Sequence, residues 1–185
     1  MESYIGYVLP FVPGCPEALV ERKLLEAARA LCDDAWCWRK KQESTIAADA
    51  TTLALGIDST AELSDVPEFA RDGRNSIDYE ISGTDIIIPA WSAESTIKLT
   101  MAQRPPITAT ELPAGFKSIR YQKVTEALAE MTKAILHSMK DQAWHDPREA
   151  VTDKSAYDFY VGKIRAQILR PNPMAEMRII PRPFV

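Results

Sequence analysis

The residues best able to do chemistry are few: three cysteines, Cys15, Cys32 and Cys37, and two histidines, His137 and His145. The cysteines are odd in number and lack a CxxC spacing, so with only two histidines a Cys/His zinc site is hard to assemble. Cys32 and Cys37 fall in a stretch whose apolar residues recur at helical steps, where cysteine behaves as a small hydrophobe and a free thiol. His145-Asp146 could imitate a base with its orienting carboxylate. With Pro147 next, the segment reads instead as a turn in which Asp146 caps a helix. The chain has no Gly-rich phosphate loop and no GxSxG elbow, and only seven glycines. The expectation is a protein that is not an enzyme and holds no cofactor and no metal.

Composition points the same way. At 185 residues, 46% hydrophobic and 26% charged, the chain can build a packed core. A net charge of −4 and a pI near 5.3 disfavour a DNA-binding regulator, which needs clustered Lys and Arg. No stretch approaches the roughly 18 apolar residues of a membrane span. The start, Met1-Glu2-Ser3-Tyr4, lacks the basic and apolar regions of a signal peptide, so a cytoplasmic origin is expected.

The elements that must position these residues divide the chain. Residues 1–15, with Pro10, Pro13 and Gly14, read as an extended arm. Pro16 stands where a first helical residue belongs, and Val20, Leu24, Ala28, Leu31, Ala35 and Trp38 mark one face of a helix over residues 17–38. Residues 42–112 form a small β insertion. Residues 76–81 alternate, Ser82-Gly83 turns, and residues 85–89 return, making a hairpin. Residues 96–102 alternate again, and residues 65–69 are an edge piece because Pro67 cannot donate to a ladder. A long helix is expected over residues 116–140 and a last one over residues 153–169, started by Asp153 or Thr152. The fold class is therefore α+β: a bundle of three to four helices from residues 16–41 and 113–169, with an inserted antiparallel β region and N- and C-terminal arms.

Two further features concern surfaces. Trp36 and Trp38 cannot both face one helix stripe; one is core and the other packs on the β insertion or a neighbouring subunit, or both are core. Trp144 lies in the break between the last two helices. The segment 170–185 carries Arg170, Arg178 and Arg182 against Glu176, a net charge of +2, with Ile179-Ile180 and Phe184-Val185 among prolines. An extended, apolar and basic arm suits a groove or sheet edge on another protein.

Three segments then carry a resemblance. The first is residues 24–32, Leu-Leu-Glu-Ala-Ala-Arg-Ala-Leu-Cys, with Trp36 to Arg39 following. The second is Ile86-Ile87-Ile88-Pro89-Ala90, then residues 97–101 before Arg104-Pro105-Pro106. The third is residues 139–147, ending Trp144-His145-Asp146-Pro147, followed by the aromatic, basic stretch 157–170. Together they resemble the head–tail adaptor, or head-completion connector, proteins of tailed bacteriophages, especially the short-tailed type. The resemblance implies a virion subunit of the neck, assembled in the host cytoplasm into a ring, generally a dodecamer. Such a ring binds the portal protein after DNA packaging and offers a platform to a tail or nozzle protein. DNA would pass through the lumen without specific binding. It further implies Arg178, Ile179, Ile180, Arg182, Phe184 and Val185 as the portal-docking arm. A tail-terminator or tail-tube subunit is the alternative.

Overall fold

The structure, a computed structural model, describes residues 2–75 and 79–169. The chain is α+β, a helical bundle with an inserted antiparallel β region. The bundle consists of α1 (Glu2–Ile5), α2 (Glu17–Ala35), α3 (Ala114–Lys117), α4 (Val124–His137) and α5 (Pro147–Leu169). The β region runs from β1 (Arg39–Ile46) through β2 (Thr52–Ala54), β3 (Glu62–Arg71), β4 (Arg74–Asn75), β5 (Glu80–Ser82) and β6 (Asp85–Ile87) to β7 (Ser95–Arg104).

Helix α2 forms because its apolar residues recur at three- and four-residue steps: Val20, Leu24, Ala27, Ala28, Leu31, Cys32 and Ala35 are all buried. Pro16 is its N-cap rather than its first residue. The helix stops at Ala35, before Trp38, because Trp36 adopts a left-handed φ of 50° and donates its N–H to the Cys32 carbonyl at 2.9 Å. The β region therefore starts at Arg39, earlier than the periodicity predicts. One long helix over residues 116–140 is also corrected. A short α3 ends at Lys117, Lys123 at φ 74° precedes α4, and α4 closes at His137. The last helix starts at Pro147, a turn and a half earlier than expected. Asp146 caps it by accepting the N–H groups of Arg148 (2.9 Å) and Glu149 (3.2 Å), so Asp153 and Thr152 are interior positions.

The N-terminal segment is the largest correction. In place of an extended arm, α1 and a 3-10 turn at Leu9–Phe11 fold back on the bundle. Ile5, Val8, Val12 and Cys15 are buried against Val20, Ala129, Leu136 and Trp144. The prolines act as turn formers because the apolar residues between them find a helix seam to cover.

In the β region, β1, β7, β3 and β4 make one antiparallel sheet in that order, and β2, β6 and β5 a second. Of the expected hairpin, β5 and β6 pair and turn at Gly83 with φ 62°, while residues 76–78 of its first strand lie outside the described residues. The stretch around Pro67 belongs to the ten-residue β3, with Pro67 where the register to β7 shifts between Asp65 and Glu68. A bulge tolerates the missing N–H there. Ile97, Leu99 and Met101 of β7, with Ile46 and Phe69, face Leu53 and Ile86 of the second sheet in a core of their own. The bundle core is separate: Leu24, Leu31, Trp38, Phe116, Leu128, Tyr157 and Ile164 are buried together.

Candidate functional site

Two places concentrate the side chains that matter: the joint between bundle and β region, and the outer face of α4 and α5. At the joint, Arg104 at the end of β7 donates to both oxygens of Asp33 near the end of α2 (3.1 and 3.0 Å), and its Nε lies 3.5 Å from Glu62. Arg29 reaches the same Glu62 oxygen at 3.1 Å and also donates to the Pro105 carbonyl. Ser64 donates to Asp33, and the Ile107 N–H to Glu62 at 3.0 Å. These ion pairs are partly exposed, where such pairs contribute about 0–1 kcal/mol each, so they set orientation more than stability. Trp38 supplies the apolar part of the joint. It is buried, its ring meets Phe116 edge-on at 6.4 Å, and its carbonyl accepts the Gln103 N–H at 2.7 Å.

The acidic partners give the joint a pH dependence. Against the cost of burial, the Ile107 N–H and Arg29 hold the Glu62 carboxyl below its ordinary 4.5. The Thr100 hydroxyl and Arg39, each at 2.6 Å, do the same for Glu68 on the sheet. A carboxyl with a lowered folded pKa stabilises above its unfolded value and loses that contribution as pH falls through the folded one. The thermal midpoint is therefore expected to fall as pH drops from about 5 to about 3, and Glu62→Gln to flatten the profile in that window. A pH titration of melting curves on both proteins checks this; parallel profiles would sink it.

The outer face of the bundle carries the second feature. Met131, Ala134 and Ile135 of α4 and Ala150, Val151 and Ser155 of α5 line an open, apolar groove of about 410 Å³. Along α5, Val151 (68% exposed) and Leu169 (79%) lie on one stripe, since a step of 18 residues is five full turns, and Phe159 (60%) flanks it, about 80° around the helix. Ser155, Gly162 and Ala166 lie between them, so little covers the stripe from its own helix.

The sequence-derived candidates scatter differently. Trp38 is core and Trp36, half-buried, caps α2. Trp144 is buried where the N-terminal segment meets the bundle. Arg178, Ile179, Ile180, Arg182, Phe184 and Val185 lie outside the described residues. Cys32 and Cys37 are buried with their sulfurs 4.0 Å apart, and burial and the Cys37 thiol push the Cys32 thiol well above its ordinary range. It is a protonated packing residue, as expected. His145 Nδ1 meets the His137 carbonyl at 2.9 Å, which makes the turn before Asp146. Among the described residues, no group of three or more His, Cys, Asp or Glu is placed to hold a metal ion. No helix among them is long and apolar enough to cross a membrane. No family model matches the chain, and no curated protein matches it.

Sequence reasoning missed the buried ionic cluster under the N-terminal segment. His137 Nδ1 lies 2.8 Å from Asp153 Oδ2, and His137 Nε2 lies 3.1 Å from the Phe11 carbonyl oxygen. Lys133 reaches Glu130 at 2.8 Å and Asp153 at 3.3 Å, and sits over the Phe11 ring at 4.5 Å. Against the cost of burial, these two carboxylates hold the Lys133 ammonium above its ordinary range. The available signal was Lys133 and His137, four residues apart on the same face as the apolar Ala129 and Leu136.

Proposed function

We propose that the chain is a structural subunit of a head–tail adaptor ring, the reading implied by its resemblance to the phage neck proteins. The observation that carries it is the division of one short chain into two separately cored parts, bundle and β region, tied by oriented ion pairs. A subunit of that make can give one surface to each of two partners while holding their relative direction. Rings close through heterologous contacts between unlike faces of neighbouring subunits, and the apolar outer face of α5 is a surface such a contact can use. The acidic balance of the chain suits a lumen along which DNA slides without being gripped. On this reading residues 178–185 anchor the subunit to the portal protein, and the β region meets a tail or nozzle protein or the next subunit. The same make also suits a tail-terminator or tail-tube subunit, which electron microscopy of the virion separates by position.

The test is direct binding to purified portal rings by sedimentation. The full chain is expected to co-sediment with the rings, and removal of residues 174–185 to weaken binding about a hundredfold or more, because avidity multiplies each lost arm around a ring. Failure of the full chain to bind overturns the adaptor reading. Unchanged binding by the shortened chain overturns the arm's role alone.

A further inference from the structure

His137 closes the buried cluster under the N-terminal segment, and both of its ring nitrogens face acceptors. Nδ1 lies 2.8 Å from the Asp153 carboxylate, and Nε2 lies 3.1 Å from the Phe11 carbonyl oxygen. A carboxylate and a carbonyl accept without donating, so each ring nitrogen must bring its own proton. A neutral imidazole has one N–H and sets a lone pair against one of the two oxygens; the imidazolium satisfies both. Charge gives the same answer. Around the ring stand Lys133 and Glu130 of α4 and Asp153 of α5. Asp146, on the loop after α4, donates its backbone N–H to the His137 carbonyl at 3.0 Å, and the N-terminal segment brings the uncharged Phe11 carbonyl. Lys133 (7% exposed), His137 (5%) and Asp153 (5%) are buried. Two cations balance the carboxylates of Glu130 and Asp153, whereas a neutral ring leaves an excess anion in a buried place. His145 is the contrast. It is exposed and its Nδ1 meets a single acceptor, the His137 carbonyl at 2.9 Å, so a neutral tautomer suffices there.

We propose that His137 is a pH-sensitive clasp: as the imidazolium it ties Phe11 to Asp153, and loss of its Nε2 proton at higher pH releases residues 2–15 from α4. The proton leaves Nε2 for solvent, because the carboxylate holds the one on Nδ1. The bare Nε2 then sets its lone pair against the Phe11 carbonyl oxygen, and an attraction becomes a repulsion. What remains is Lys133 over the Phe11 ring at 4.5 Å and the apolar cover of Ile5, Val8, Val12 and Cys15. Within itself the segment is held by single turns, from the Val8 N–H to the Ile5 carbonyl and from the Phe11 N–H to the Val8 carbonyl, with no long helix or ladder. Such a segment opens at low cost once its anchor is lost. Opening uncovers Ala129, Leu136 and Trp144 along the bundle. The sign is opposite to that of Glu62 and Glu68: the clasp contributes in acid and its contribution is lost as pH rises. It does not depend on the adaptor reading.

Nuclear magnetic resonance of the histidine rings, with amide hydrogen exchange, tests this on the full chain. A free imidazole gives up its second proton at about pH 6.5, so a series from about pH 5.5 to about pH 9 brackets that step. Both His137 ring nitrogens are expected to carry protons at the acid end and Nδ1 alone at the alkaline end. Over the same range the protection factors of the Val8, Phe11, Val12 and Cys15 amides are expected to fall about tenfold or more, while those inside α2 hold steady. His137→Gln, uncharged at every pH, is expected to leave these amides at the low level throughout, and His145→Gln to keep the response. A neutral His137 ring at about pH 5.5, or a doubly protonated one at about pH 9, overturns the proposal. So does protection that stays level while the ring loses its proton, or a response that survives His137→Gln. Because the ring protons are read on the unsubstituted chain, a variant that fails to fold does not decide the outcome. Portal binding by a chain that fails this test would leave the adaptor reading standing.

Discussion

Asp153→Ala is expected to destabilise the protein by about 3–5 kcal/mol, because it strips the anion from two buried cationic or polar partners at once. Asp153 is 5% exposed; its two oxygens face Lys133 at 3.3 Å and His137 at 2.8 Å. Removing it leaves Lys133 with Glu130 alone and His137 with no carboxylate, so both lose a hydrogen-bonding partner in a buried place. The loss spreads to the N-terminal segment. Phe11 is held by its carbonyl at His137 and by its ring under Lys133, so Ile5, Val8 and Val12 lose the partner that fixes their cover over Leu136. Urea unfolding reads the effect as a lower midpoint with an unchanged slope. Asp153→Asn, which keeps an acceptor of the same shape, should fall between the two. A loss under about 1 kcal/mol would show that the cluster is incidental to the fold.

Trp38→Ala is the second large loss, again about 3–5 kcal/mol, but its origin is a cavity rather than an unpaired charge. The ring fills the space between α2, α3 and the first residues of β1, and α3 is fitted against it: a Cβ added to Gly115 would lie 2.6 Å from Trp38 Cζ2. The backbone of α3 therefore approaches the ring as closely as glycine permits. Truncating the ring leaves Phe116 and Leu112 facing a void that this tight backbone cannot collapse into. Gly115→Ala tests the same contact from the other side and should cost about 1–3 kcal/mol by overpacking. The double variant Trp38→Ala with Gly115→Ala should cost less than the sum of the singles, because the methyl then occupies space the ring vacated. Additive losses would show that the two residues do not share the contact.

These two residues also mark the limit of what local pattern reveals. Helix α2 was legible because seven buried residues repeat at helical steps within one segment, and the β5–β6 hairpin because alternation flanks a Ser-Gly turn. Asp146 as a cap was legible because its partners are two and three residues away. Strand β1, Arg-Lys-Lys-Gln-Glu-Ser-Thr-Ile, was not: seven of its eight residues are polar, and it is a strand because β7 offers an antiparallel ladder from Arg39–Ala102 to Ile46–Ser95. The fold of residues 1–15 was misread for the same reason. Val8 and Val12 are buried by Leu136 and Trp144, more than a hundred residues away.

For the site, composition and spacing alone pointed to Cys32 and Cys37 as packing residues, which both are. The tertiary structure decided where an apolar surface is left open. The groove exists only because α4 and α5 pack side by side, and the exposure of Val151, Phe159 and Leu169 follows from which face of α5 was spent on Tyr157, Val161 and Ile164 in the core. A helix of weak overall amphipathicity gives no sign in sequence of which apolar residues will be left outside. Only the packing partner selects the buried face.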